Sequence, residues 1–221
     1  MMARSVITIK KDILAKNDEL ADENRNRLKE AGILAMNLVS SPGAGKTSLL
    51  VKTLNDIGNK ARFAVIEGDQ ETDNDAKKIE ATGVPVTQIN TISACHLDAA
   101  MMKKALDTLN LDSIDTLFIE NVGNLVCPAS YDLGEKIKVA LMSVTEGEDK
   151  PLKYPKMFRV SSALIITKTD LLPYVDFDIA KATDYALKIN PKLKVFKVSA
   201  KSGDGLLELY DFILSGANDL L

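Results

Sequence analysis

Apolar residues in this chain come in short runs separated by stretches of helical spacing. Ile33-Leu34-Ala35-Met36-Asn37-Leu38-Val39 is nearly continuous and predicts a strand buried on both faces. Residues 61–66, 85–90, 114–119, 163–166 and 194–198 have the same character. Residues 135–145 add another strand through Ile137, Val139, Leu141 and Val144. Helical spacing predicts helices over residues 12–31, 48–54, 76–82, 99–109, 176–189 and 203–214. Residues 147–155, with Lys150 and Lys153, are polar and turn-rich and read as a connection. Strands alternating with helices predict an α/β fold, a mostly parallel sheet with helices on both faces.

Composition narrows this picture. The 221 residues are 46% hydrophobic and 27% charged, enough for one domain with a sizeable core. The domain is expected over residues 33–221, after an N-terminal helical extension over residues 1–32. A net charge of −3 gives no electrostatic case for nucleic acid. No apolar run approaches a membrane-spanning length and no signal-peptide pattern opens the chain, so a cytoplasmic protein without a membrane partner is expected. Two cysteines and one histidine are the only soft ligands. A disulfide is disfavoured in that compartment.

The first strand runs into Ser40-Ser41-Pro42-Gly43-Ala44-Gly45-Lys46-Thr47-Ser48 and then a helix. That is the strand–loop–helix setting of a P-loop, in which small residues let the backbone N–H groups turn toward phosphate. Pro42 to Ser48 are the expected phosphate contacts, with Lys46 on the terminal phosphates and Thr47 on Mg²⁺. Ser40 replaces the usual first glycine. Acids at the next strand end, Asp69, Asp73 and Asp75, repel phosphate unless a cation intervenes, which places one or two of them near Mg²⁺; Asp69 and Asp75 are the choice. Their alternative reading is a solvated loop with a helix cap.

Glu120-Asn121-Val122-Gly123 ends another strand. Glu120 suits the Mg²⁺ surroundings, and Gly123 can offer its N–H to a γ-phosphate oxygen because no side chain obstructs it. Thr167-Lys168-Thr169-Asp170 ends a later strand: Asp170 can accept two hydrogen bonds from guanine, and the Lys168 stem can cover the base. Thr167 replaces the commoner asparagine, which is expected to weaken loop anchoring. Ser199-Ala200-Lys201 follows the last strand and suits the guanine oxygen. Catalysis is therefore assigned to Lys46, Thr47, Glu120 and Gly123. No glutamine or arginine identifies itself as a water-positioning group, so slow turnover is expected.

Cys95, His96 and Cys127 suit Zn²⁺ or Ni²⁺. Neighbouring Cys95 and His96 face opposite ways on a regular strand. Chelation by both therefore needs an irregular backbone or an ion shared between chains; buried structural thiols and a capping histidine are the alternative.

These motifs together resemble the hydrogenase nickel-incorporation GTPases of the HypB type, in the dimerising branch of P-loop GTPases. The resemblance covers residues 33–214 and rests most specifically on Cys95-His96 with Glu120-Asn121-Val122-Gly123-Asn124-Leu125-Val126-Cys127-Pro128. It implies GTP with Mg²⁺, slow hydrolysis, a nucleotide-linked homodimer, and delivery of nickel to a hydrogenase large-subunit precursor with other maturation proteins. Residues 1–32 contain neither cysteine nor histidine, so the metal function rests on Cys95, His96 and Cys127. The related urease accessory GTPases typically have Cys-Pro-His where this chain has Cys127-Pro128-Ala129. An ATP-dependent small-molecule kinase is disfavoured by Asp170 and Ser199-Ala200-Lys201.

Overall fold

The computed structural model describes residues 9–69, 73–92 and 94–216, with side chains from residue 12 onward. Seven strands form one sheet: β1 (Leu34–Ser40), β2 (Phe63–Asp69), β3 (Val86–Asn90), β4 (Thr116–Glu120), β5 (Ile137–Ser143), β6 (Ala163–Thr167) and β7 (Lys194–Lys197). Their order is β3-β2-β4-β1-β5-β6-β7, and every pairing is parallel. All seven residues of β1 are buried, as its unbroken apolar run requires at the sheet centre.

Alternation along β1 divides the core. Leu34, Met36 and Leu38 join one cluster with Leu49, Leu50, Leu54 and Ile57 of α2 (Lys46–Ile57), Ile79 of α3 (Asn74–Glu80), and Leu206, Leu209 and Phe212 of α8 (Leu206–Leu214). Ala35 points the other way, into a cluster with Leu28 of α1 (Ile9–Glu30) and Met102 and Leu106 of α4 (Ala99–Leu106). Val39, on that second face, meets Phe158 of α6 (Pro155–Val160) and Ala182 and Ala186 of α7 (Ile179–Ile189). Helices thus cover both faces, as the alternation predicts.

α1 is docked by buried amides: Asn17 donates to Asp132 O and accepts from Ala99 N, each at 2.9 Å, and Asn24 donates to Ala99 O at 2.9 Å and Leu133 O at 3.1 Å. The stretch read as a connection is instead helical. α5 (Lys150–Lys153) and α6 each begin at or beside a proline, Pro151 and Pro155, whose fixed φ suits a first helical turn.

Candidate functional site

The carboxyl ends of β1, β2 and β4 open on one cavity of about 460 Å³, lined by the P-loop, Glu67, Asp69, Asp75, Lys78, Glu120 to Gly123, and Lys168. This is the crevice expected at strand ends in a parallel α/β sheet. Gly43 (φ +75°) and Gly45 (φ +90°) are in the left-handed region, which turns the loop into the amino end of α2. Lys46 is buried, its Nζ 3.0 Å from Ser40 Oγ. Ser40, the departure from the usual glycine, thus contacts the P-loop lysine. Burial pulls the Lys46 ammonium below its ordinary value, opposed by Glu120, Asp75, Glu67 and Glu146.

Thr47 Oγ1 donates to Glu120 Oε1 at 2.7 Å and lies 3.0 Å from Asp75 Oδ2. Asp69 lines the same cavity. Asp73 does not; it precedes α3 and pairs with Lys77 at 2.8 Å. Gln70, Glu71 and Thr72 of the acidic loop lie outside the described residues.

Glu67 is the member that sequence reasoning passed over. β2 and β4 are in register so that Glu67 stands directly beside Glu120, and both are buried. Burial first, then the charges of Glu120, Asp69 and Asp75, push the Glu67 carboxyl up to about 8. Burial also raises Glu120, against the pull of Lys46 and the Thr47 hydrogen bond. Glu67 Oε2 and Glu120 Oε2 are buried without a hydrogen-bond partner. Oxygen donors with two unpaired buried carboxylate oxygens fit a hard divalent cation such as Mg²⁺. Its sequence signal is an acid on the apolar run of β2.

Four contacts tie the P-loop to its surroundings. Gly123 lies against Pro42 of the P-loop: a Cβ there would come within 3.0 Å of Pro42 Cα, N and Cγ. Thr167 Oγ1 donates to Ala44 O at 2.6 Å, so the threonine anchors the P-loop it was expected to loosen. Lys168 adopts φ +59° and its Nζ donates to Gly43 O at 2.7 Å. Lys150, also missed, reaches Ser41 Oγ at 2.6 Å and pairs with Glu146 at 2.9 Å.

Asp170 and Ser199 come together from separate strand ends. The Ser199 hydroxyl donates to Asp170 Oδ1 at 2.6 Å and accepts from Lys201 N at 3.2 Å and Ser202 N at 3.0 Å. One carboxylate oxygen is thus fixed by a buried hydroxyl, which orients the other.

Cys95, His96 and Cys127 also converge, their ligand atoms all within 4.8 Å of one another. Cys95 Sγ is 3.1 Å from Cys127 Sγ and 3.6 Å from His96 Nδ1. The backbone at Cys95-His96 is a bend rather than a strand, which lets neighbouring side chains approach the same point. Asn124 Nδ2 holds Cys95 O at 3.1 Å, joining the two loops. The hydrogen bond with Cys127, then burial, raises the Cys95 thiol; burial lowers the His96 imidazole against Asp98. The Tyr131 ring covers His96, centroids 3.9 Å apart.

A larger cleft of about 960 Å³ opens at the amino ends of β1 and β5. It holds none of the predicted site residues, whereas the smaller cavity is lined by the P-loop and the buried acids.

Fold and site together define a P-loop nucleotide-binding domain beside a Cys-His-Cys cluster whose three ligand atoms are close enough to hold a metal ion. The sequence matches the family described as CobW/HypB/UreG, nucleotide-binding domain, over residues 34–197. It is 56% identical to hydrogenase maturation factor HypB of Azotobacter vinelandii over 92% of this chain and 67% of that protein. Against the HypB of Escherichia coli K12 it is 53% identical over 93% and 71%. The crystal structure of HypB from Helicobacter pylori in complex with nickel superposes with a TM-score of 0.87 at 40% identity, covering 92% of this chain and 96% of that one. This chain belongs to the HypB family of hydrogenase maturation factors.

Proposed function

We propose that this chain is a metal-regulated GTPase that hydrolyses GTP slowly and delivers nickel to a [NiFe]-hydrogenase precursor. The observation that carries this reading is the convergence of Cys95, His96 and Cys127, with Cys127 four residues beyond Gly123. Nickel bound to the Helicobacter pylori relative supports nickel as the cargo.

Roles follow from the geometry. The P-loop N–H groups and Lys46 bind the phosphates. Thr47, Asp75, Glu120, Glu67 and Asp69 would hold Mg²⁺, which when bound would supply charge neutralisation to the phosphates. Asp170 and the Ser199–Lys201 turn read guanine. Gly123 offers its N–H to the γ-phosphate. Among the described residues, the cavity lining has cations in Lys46, Lys78 and Lys168 but no arginine or glutamine. Intrinsic turnover is therefore expected ~10³- to 10⁵-fold below that of GTPases supplied with such a group. Single-turnover release of phosphate from the purified chain checks this, and many turnovers per second would contradict it.

Ile92 and Val126 flank the cluster and are 79% and 61% exposed. Two apolar side chains held in water beside an incomplete coordination sphere support a homodimer that meets at the metal face, strengthened by GTP. Sedimentation in GDP and in a GTP analogue tests it.

The central test is nickel titration. Replacing both cysteines, Cys95→Ala with Cys127→Ala, should weaken Ni²⁺ by more than ~100-fold, beyond the loss ordinary when only a residue supporting a ligand is changed. GTP affinity should stay unchanged. Unaltered nickel binding in that variant would remove the assignment.

A further inference from the structure

Asn37 lies in the middle of β1 with its side chain fully buried between two apolar clusters. A leucine there would extend the apolar packing, so a buried amide asks for a reason. Its partners form a chain. Asn37 Oδ1 accepts from Asn121 Nδ2 at 3.2 Å, and Asn37 Nδ2 donates to Glu135 Oε1 at 3.0 Å. Glu135 pairs with Lys138 Nζ at 3.2 Å and accepts from Leu133 N at 2.8 Å. All four side chains are paired throughout.

Both ends of this chain grip backbone beside the sites. Asn121 Oδ1 accepts from Leu97 N at 3.1 Å and Val122 N at 3.0 Å. Leu97 follows His96, and Val122 precedes Gly123. Lys138 Nζ donates to Pro128 O at 2.8 Å and Tyr131 O at 2.9 Å. Pro128 follows Cys127, and the Tyr131 ring covers His96. One amide therefore holds the Gly123 loop and the His96 loop together, while one ammonium holds the Cys127 segment from beneath.

We propose that the buried chain Asn121–Asn37–Glu135–Lys138 transmits the state of the Gly123 loop to the spacing of Cys95, His96 and Cys127, with Asn37 as the positioning residue that joins its halves. This rests on the nucleotide and nickel reading above. In a dry interior, hydrogen bonds are strong and an unmade one is costly, so such a network changes between discrete arrangements. A shift of Val122 moves the Asn121 amide. That amide must then carry Leu97 with it or break a buried bond. Lys138 meanwhile keeps the Cys127 side fixed to β5, so the ligand separation changes.

The experiment titrates Ni²⁺ into the full chain with GDP and with a non-hydrolysable GTP analogue, and reads the ratio of the two dissociation constants. An ordinary coupling gives the parent a ratio of roughly 5 to 150. Asn37→Ala touches neither ligand and should bring the ratio to within about twofold of one, with nucleotide affinity in the metal-free protein changed by less than about threefold. Lys138→Met should also abolish the ratio and weaken Ni²⁺ itself by about 10- to 100-fold. Ser161→Ala, equally buried but off the chain, should keep the parental ratio. Melting curves establish folding; if Asn37→Ala does not fold, Lys138→Met decides alone. A parental ratio preserved in either folded variant overturns this inference and leaves the functional reading intact. A parental ratio of one overturns the nucleotide–metal coupling in both.

Discussion

Asp170→Asn lowers affinity for GTP by ~10⁴-fold and moves preference to xanthine nucleotides. The Ser199 hydroxyl donates to Asp170 Oδ1 and is itself held by two backbone N–H groups. In the variant, that hydroxyl keeps the amide oxygen on its own side and leaves the NH₂ facing the base. Guanine presents two donors to this edge, and donor meets donor. Xanthine presents a carbonyl in place of the exocyclic amine and accepts the amide hydrogen. Ser199 is fully buried, so the orientation is not open to solvent rearrangement. Competition binding with GTP, XTP and ATP reads the outcome. A variant that still prefers GTP, or a parent that binds ATP as well as GTP, would defeat the assignment of Asp170.

Glu67→Gln should have opposite effects on the metal-free protein and on Mg²⁺-dependent nucleotide binding. In the metal-free protein Glu67 is raised from an ordinary 4.5 to about 8. The folded state then keeps a proton that the unfolded chain has lost. The stability this group contributes is complete below about 4.5, falls as pH rises from about 4.5 to about 8, and is level above that. Glutamine removes this loss, so above pH 8 the variant is more stable than the parent by on the order of a few kcal/mol. Mg²⁺ with GTP needs the ionised carboxylate. Binding at pH 7 should therefore expel close to one proton from Glu67, so the variant should release close to one proton fewer than the parent. Calorimetry in buffers of different ionisation enthalpy measures that release. Equal proton release by parent and variant would show that Glu67 does not face the cation.

Why sequence reasoning reached some of these residues and not others is physical. P-loop chemistry is local: strand, small residues, lysine and helix are consecutive, so Ser41 to Ser48 carry their own context. Cys95, His96 and Cys127 were legible as types, since soft ligands are scarce here, but their 4.8 Å convergence depends on two loops meeting. Glu67 escaped because its meaning lies in register. Only the pairing of β2 with β4 sets it beside Glu120, and pairing is a long-range property. Lys150 escaped through a turn that is really a helix start. Thr167 was judged against a commoner asparagine, whereas its hydroxyl reaches Ala44 O directly.

The 3.1 Å between the two sulfurs also has a redox side. Both thiols are free, and the raised Cys95 thiol is held mostly in its protonated, less reactive form. An oxidant that accepts two electrons would nevertheless need to move these sulfurs only about another ångström to close a disulfide, with release of two protons. Closure would consume both sulfur ligands at once. On the proposed nickel reading, oxidation and metal would compete for the same pair of atoms, and a loaded site would shield its own thiols. Handled in air, the metal-free chain should be the form that loses nickel-binding capacity, and a thiol reductant rather than added nickel should restore it.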